Sequence, residues 1–81
     1  MELKDTIEMM NSEDYKERFK AEYYQLDIRM KKLKDVLEKH KTGTLPFKLT
    51  CDYDILLVQY VYMVGYLSYL QCRAEIENIE L

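Results

Sequence analysis

The sequence predicts an all-α fold: an antiparallel two-helix hairpin with a short N-terminal helical segment, assembling into a homo-oligomeric bundle. Breakers are scarce, with two Gly and one Pro in 81 residues, which favours long helices over sheet. Two separate runs place apolar residues at alternating four- and three-residue intervals, the pattern of helices packed side by side. Between them lies one short connector holding Gly43 and Pro46, and a link of that length favours antiparallel neighbours.

Length supports a single domain, residues 1–81, near the lower limit at which a chain stabilises its own core. Hydrophobic residues are 48% of the total, too many for a disordered segment. The expected divisions are an N-terminal helix or arm over 1–11, a first helix over 12–42, a connector over 43–50 and a second helix over 51–78.

In the N-terminal segment, Leu3, Ile7 and Met10 share one helical face. Asn11-Ser12 then reads as a break and an N-cap, with Glu13, Asp14 and Glu17 suited to a helix N-terminus. Phe19, Tyr23, Leu26, Met30, Leu33, Leu37 and His40 form the packing seam of the first helix. Lys39, His40 and Lys41 complement its C-terminal dipole, and Gly43 supplies the stop. In the connector, Leu45, Phe47 and Leu49 alternate as if one side were tucked against the helices, and Thr50 or Asp52 caps the second helix.

That second helix carries two apolar stripes. Leu56, Tyr60, Met63, Leu67, Leu70 and Ala74 suit packing against the first helix. Val58, Tyr62, Gly65, Tyr69, Cys72 and Ile76, continued by Ile79, lie on another side, and Leu57, Val61 and Val64 widen the surface. A helix apolar nearly all round is buried nearly all round. One partner helix covers only one side, so the second stripe predicts self-association with two-fold symmetry, second helices meeting near Gly65. Ile55 to Cys72 is also eighteen residues without a charge, at the lower limit for a membrane span. Gln59, Ser68, Gln71 and four tyrosines within it favour burial in an oligomer over a bilayer, where tyrosines gather at the interfaces.

Charge is unevenly placed. Residues 29–48 carry +5, whereas 1–28 and 49–81 carry −4 each. This single basic zone is not the broad footprint of a nucleic-acid binder. At the other end, Glu13, Asp14, Glu17, Glu75, Glu77 and Glu80 gather in the hairpin. The simple reading of such a cluster is a solvated face; the sharper one is a nucleic-acid mimic that docks on a basic protein groove.

No catalytic constellation is present. The lone histidine, His40, reads as a helix C-terminal residue, and a His40–Cys51 metal site lacks further ligands. No glycine-rich phosphate loop exists, so no enzyme, metal or cofactor is expected. Cys51 and Cys72 are separated by about 31 Å if both lie on one helix, which forbids a bond within the chain. A reduced, cytoplasmic setting is expected, and the polar N-terminus has no signal-peptide pattern.

Two polar features remain. Lys39, Lys41 and Lys48 converge near Thr50 at the N-terminus of the second helix, a setting for an anion such as phosphate, opposed by Asp52 and Asp54. Eight tyrosines are mostly core or interface residues, although some can stack on a nucleotide ring between protomers. The candidate ligand-binding residues are Lys41, Lys48, Thr50, Tyr62, Tyr69 and Arg73. The candidate oligomer interface is Val58, Tyr62, Gly65, Tyr69, Cys72 and Ile76.

The run Asp14-Tyr15-Lys16-Glu17-Arg18 opens the first helix. It is followed much later by Leu56-Leu57, Gln59, Met63, Tyr66-Leu67, Leu70 and Arg73-Ala74-Glu75-Ile76. Together they resemble a group of small helical-hairpin proteins of crAss-like phages and gut prophages, over residues 14–81. The resemblance implies a phage or prophage origin and brings no catalytic or binding residues with it. By fold-level analogy, it points to a bacterial host cytoplasm and to antagonism of anti-phage defence. Sequestration of a cyclic or nucleotide-derived signal between protomers is the leading mechanism. A protein-binding inhibitor of a host defence effector, such as a nuclease, and a phage assembly or scaffold protein are the alternatives.

Overall fold

A computed structural model describes all 81 residues. The chain is helical, without strands. A 3-10 turn, Leu3–Thr6, runs into α1, Ile7–Met10; then come α2, Tyr15–Thr42, and α3, Tyr53–Glu77. α2 and α3 pack as a hairpin, and the N-terminal arm packs on α2 alone.

α2 runs 28 residues because nothing interrupts it and both ends are capped. Its N-cap is Asp14, whose carboxylate accepts from the Lys16 amide at 3.0 Å. Ser12, the expected cap, sits two residues outside and accepts from the Asp14 amide instead. Asp27–Lys31 and Asp35–Lys39 pairs at i,i+4 add a few tenths of a kcal/mol each. Gly43 takes the left-handed conformation at φ 72°, and the Thr44 amide reaches back to the Lys39 carbonyl, closing the last turn. α3 begins at Tyr53, with Asp52 as its N-cap residue but without a side-chain cap bond.

The core lies at the open end of the hairpin. Phe19 of α2 meets Leu70 and Ala74 of α3, with Tyr23 and Leu26 packed against them. Leu67 and Leu37 are buried further toward the turn. This follows the seam and the inner stripe read from spacing. Ile79 does not follow its expected place. Asn78 turns left-handed at φ 57° and the Ile79 amide bonds the Ala74 carbonyl at 2.8 Å. The chain therefore swings inward, and Ile79 is only 6% exposed in the core rather than on the outer stripe. Asparagine tolerates that conformation better than other non-glycine residues.

Two further expectations are corrected. The arm does not bury Ile7 and Met10, which are exposed. Its first turn is 3-10, with a period of three, so Leu3, Thr6 and Met9 face inward. Thr6 is fully buried; its hydroxyl donates to the Leu3 carbonyl at 2.7 Å and accepts from Gln25 Nε2 at 2.9 Å. Ala21, four residues before Gln25, is buried and small enough to admit the arm. In the connector, Leu45 and Leu49 are half-buried but Phe47 is exposed.

Candidate functional site

α3 presents two very different sides. Its inner side carries the buried stripe. Its outer side exposes Ile55, Val58, Val61, Tyr62, Tyr69 and Ile76 to solvent, with Tyr62 and Tyr69 each 75% exposed and Ile76 74%. Tyr62 and Tyr69 stand two helical turns apart, about 10.5 Å along the axis, with Gly65 between them and no neighbour within 4 Å of where its Cβ would stand. Cys72 is exposed and unbonded on the same side; Cys51, in the connector before α3, is also exposed and unbonded. By length and composition α3 is also able to cross a membrane.

Within one chain the structure does not gather the expected ligand residues into one place. Lys41, Lys48 and Thr50 are exposed at the turn end. Lys41 and Lys48 form no ion pair, whereas Lys39 is held by Asp35 at 3.0 Å. Tyr62 and Tyr69 occupy the middle of the outer side. Arg73 is at the opposite end and already engaged. Its guanidinium donates to Glu77 Oε2 at 3.1 Å and to the Tyr15 hydroxyl at 2.6 Å, and lies 4.9 Å from the Phe19 ring centroid. The Tyr15 hydroxyl donates in turn to Glu77 Oε1 at 2.8 Å. These bonds set the titration of the group: the Tyr15 hydrogen bond holds Glu77 below the ordinary carboxylate value, and Glu77 in turn pushes Tyr15 up. Nearby, the Tyr66 hydroxyl donates to Glu22, which raises Tyr66 as well. The acidic end of the hairpin is thus partly tied up internally.

Spacing alone did not reveal a groove at the turn end. Lys34, Leu37, Glu38 and Lys41 of α2 face Tyr53, Leu57 and Tyr60 of α3 around a shallow cavity of about 160 Å³. His40 stacks on Tyr53, centroids 5.0 Å apart and planes within 22°, so it backs the Tyr53 ring as well as ending α2. Lys34 lies 4.0 Å from Glu38, too loose to neutralise it fully. No group of His, Cys, Asp and Glu is arranged to hold a metal ion.

A profile of the Sequestin family matches residues 13–76. The chain belongs to the Sequestin family. The match takes in both long helices and the connector and leaves out the arm. The family's name denotes sequestration, the action of a protein that binds rather than transforms. No curated protein and no solved structure matches the chain.

Proposed function

We propose that this chain is a phage-encoded, non-enzymatic binding protein that assembles with copies of itself in the bacterial cytoplasm. There it sequesters a nucleotide-derived immune signal between protomers and so antagonises anti-phage defence. The observation that carries this reading is the outer side of α3, where Tyr62 and Tyr69 stand free on either side of Gly65. Membership of the Sequestin family supplies the binding role.

Area favours self-association. The chain exposes 6045 Å², where a folded monomer of 9.8 kDa is expected to expose about 5,200 Å². Only eight of 81 residues are buried, a core too small to dominate the stability of such a chain. A second copy, docked α3 to α3, covers the apolar strip and enlarges the core at once. A bilayer is a poorer cover, because α2 lies along α3 with Lys, Arg, Asp and Glu over much of its surface, and those charges would enter the hydrocarbon with it. Exposed tyrosines suit an interface that must also hold a planar ring, since they offer stacking area and a polar tip. Lys41 and Lys48, without ion pairs, are free to answer phosphate.

Native mass spectrometry tests the proposal, without ligand and with 3′,3′-cyclic di-AMP, 3′,3′-cyclic di-GMP, cyclic AMP and ADP-ribose. The expected result is a discrete oligomer that gains whole ligand masses. A plain monomer would overturn the assembly argument. An oligomer that takes up none of these nucleotides would replace sequestration by inhibition of a host defence protein, with the α3 assembly intact.

A further inference from the structure

We propose that the turn-end groove between α2 and α3 is half of the nucleotide site, walled by Lys34, Leu37, Lys41, Tyr53, Leu57 and Tyr60, and that a second copy of the chain roofs it. This rests on the sequestration reading above and places the ligand away from the centre of the outer side. The groove joins to aromatic faces the enclosure and the lysines that the open Tyr62–Tyr69 surface lacks. It has an apolar floor in Leu37, aromatic faces in Tyr53 and Tyr60, and two lysines at its edge. The His40 ring, stacked behind Tyr53, holds that tyrosine in place, so little side-chain freedom is lost when a base stacks on it. Glu38, also on the wall, is an acceptor for an amino group on the base. Asp52 and Asp54 on the neighbouring turn weaken the pull on an anion, so neither the ring contact nor the lysines suffice alone.

Size indicates the roof. About 160 Å³ accommodates one planar ring system, whereas small-molecule sites usually span roughly 300–1,000 Å³. Leu57, on the groove wall and itself exposed, borders the exposed strip through Val58 and Val61. If two α3 helices cross antiparallel at Gly65, positions equally far from it on opposite sides come together. Leu57 lies eight residues before Gly65 and Cys72 seven after, toward the same flank of the crossing, with exposed Ile76 one turn beyond Cys72. The Cys72–Ile76 stretch of a second copy therefore covers that edge of the groove. Ligand binding and assembly are then linked, each strengthening the other.

The test measures binding of the retained nucleotide from the same panel by native mass spectrometry and equilibrium dialysis. It compares the wild-type chain with three variants: Lys34→Gln/Lys41→Gln, Tyr62→Ala/Tyr69→Ala and Val58→Glu. The double lysine variant changes exposed side chains only, so its fold and oligomer mass are expected to be unchanged while affinity falls at least about tenfold. Val58→Glu is expected to give a folded monomer that has lost most binding although every groove residue is intact. Adenosine and inorganic phosphate, offered separately, are expected to bind far more weakly than the whole nucleotide. Unchanged affinity in the lysine variant, with loss in the tyrosine variant, would overturn the groove while leaving sequestration standing. Full binding by the Val58→Glu monomer would overturn the shared roof. A wild-type oligomer that binds no nucleotide would overturn both readings together.

Discussion

The guanidinium of Arg73 donates to the Tyr15 hydroxyl at 2.6 Å, joining residues 58 positions apart. Glu77 completes the triangle by accepting from both. Lys16 adds a fourth strand to the tie by donating to the Asn78 carbonyl at 3.3 Å. This closes the end of the hairpin where no covalent turn exists, and it stands directly over the Phe19–Leu70–Ala74 core.

Tyr15→Phe removes the hydroxyl from this triangle while keeping the ring. Amide exchange at Asn78 and Ile79 is expected to quicken, with the turn-end amides of Lys41 to Thr44 unaffected. Tm should fall only modestly, because all three groups are solvent-accessible and their bonds are screened. Equal protection in both proteins would show that the core alone closes this end.

The same triangle makes stability depend on pH at both extremes. Glu77 is held below its ordinary 4.5 by the Tyr15 hydrogen bond, so its contribution is present above that value and is lost as pH falls through the depressed one. Tyr15 is raised above 10.0 by its bond to Glu77, so its contribution is present below 10.0 and is lost as pH rises through the raised value. The Tm difference between wild type and Tyr15→Phe is therefore expected to be widest near neutrality and to shrink at both ends. Parallel Tm curves from pH 3 to pH 11 would contradict it.

Leu70 and Tyr62 separate folding from assembly. Leu70 is 2% exposed, and Leu70→Ala is expected to cost about 2–5 kcal/mol, enough to unfold most of so small a chain. Tyr62→Ala touches nothing in the isolated hairpin, so helicity by circular dichroism should stay near wild type at low concentration. Its effect should appear as a lower oligomer fraction in sedimentation velocity. Loss of helicity in the Tyr62 variant at every concentration would refute that division.

Gly65 gives a sharper version of the same contrast. Nothing in the chain lies within 4 Å of a Cβ placed there, and an exposed mid-helix Gly→Ala change stabilises by about 0.5–1 kcal/mol. Gly65→Ala should therefore raise the stability of the dissociated chain. If two helices cross at this point, the added methyl group pushes them apart and assembly weakens. Opposite signs in thermal melts of dilute chain and in the dissociation constant are the expected signature; tighter assembly would move the crossing elsewhere.

Much of the hairpin was legible because burial here follows helical period. Phe19, Leu37, Leu67, Leu70 and Ala74 each fall on a stripe that spacing alone identifies. Departures occur where the chain leaves that period. Thr6 is buried because the arm begins as a 3-10 turn, and Ile79 because Asn78 breaks α3; an Asn after the last Glu of a helix was the available signal. The outer stripe was visible, but the triangle of Tyr15, Arg73 and Glu77 was not, since it depends on how far α2 slides along α3. The groove was half visible. Lys34, Leu37 and Lys41 share one face of α2, and Tyr53, Leu57 and Tyr60 share one face of α3, yet only the length of the connector decides that these faces meet.

The arm rests on α2 and leaves α3 untouched, so the molecule is layered in the order arm, α2, α3. In any closed bundle built through α3, the arms form the outermost shell and the α3 helices the axis. Changing the number of copies around that axis alters only how the α3 helices meet, and every contact that folds the individual chain stays as it was. In such a bundle, assembly size would turn on a few positions such as Val58, Gly65 and Cys72, and substitutions there would change stoichiometry without changing the hairpin.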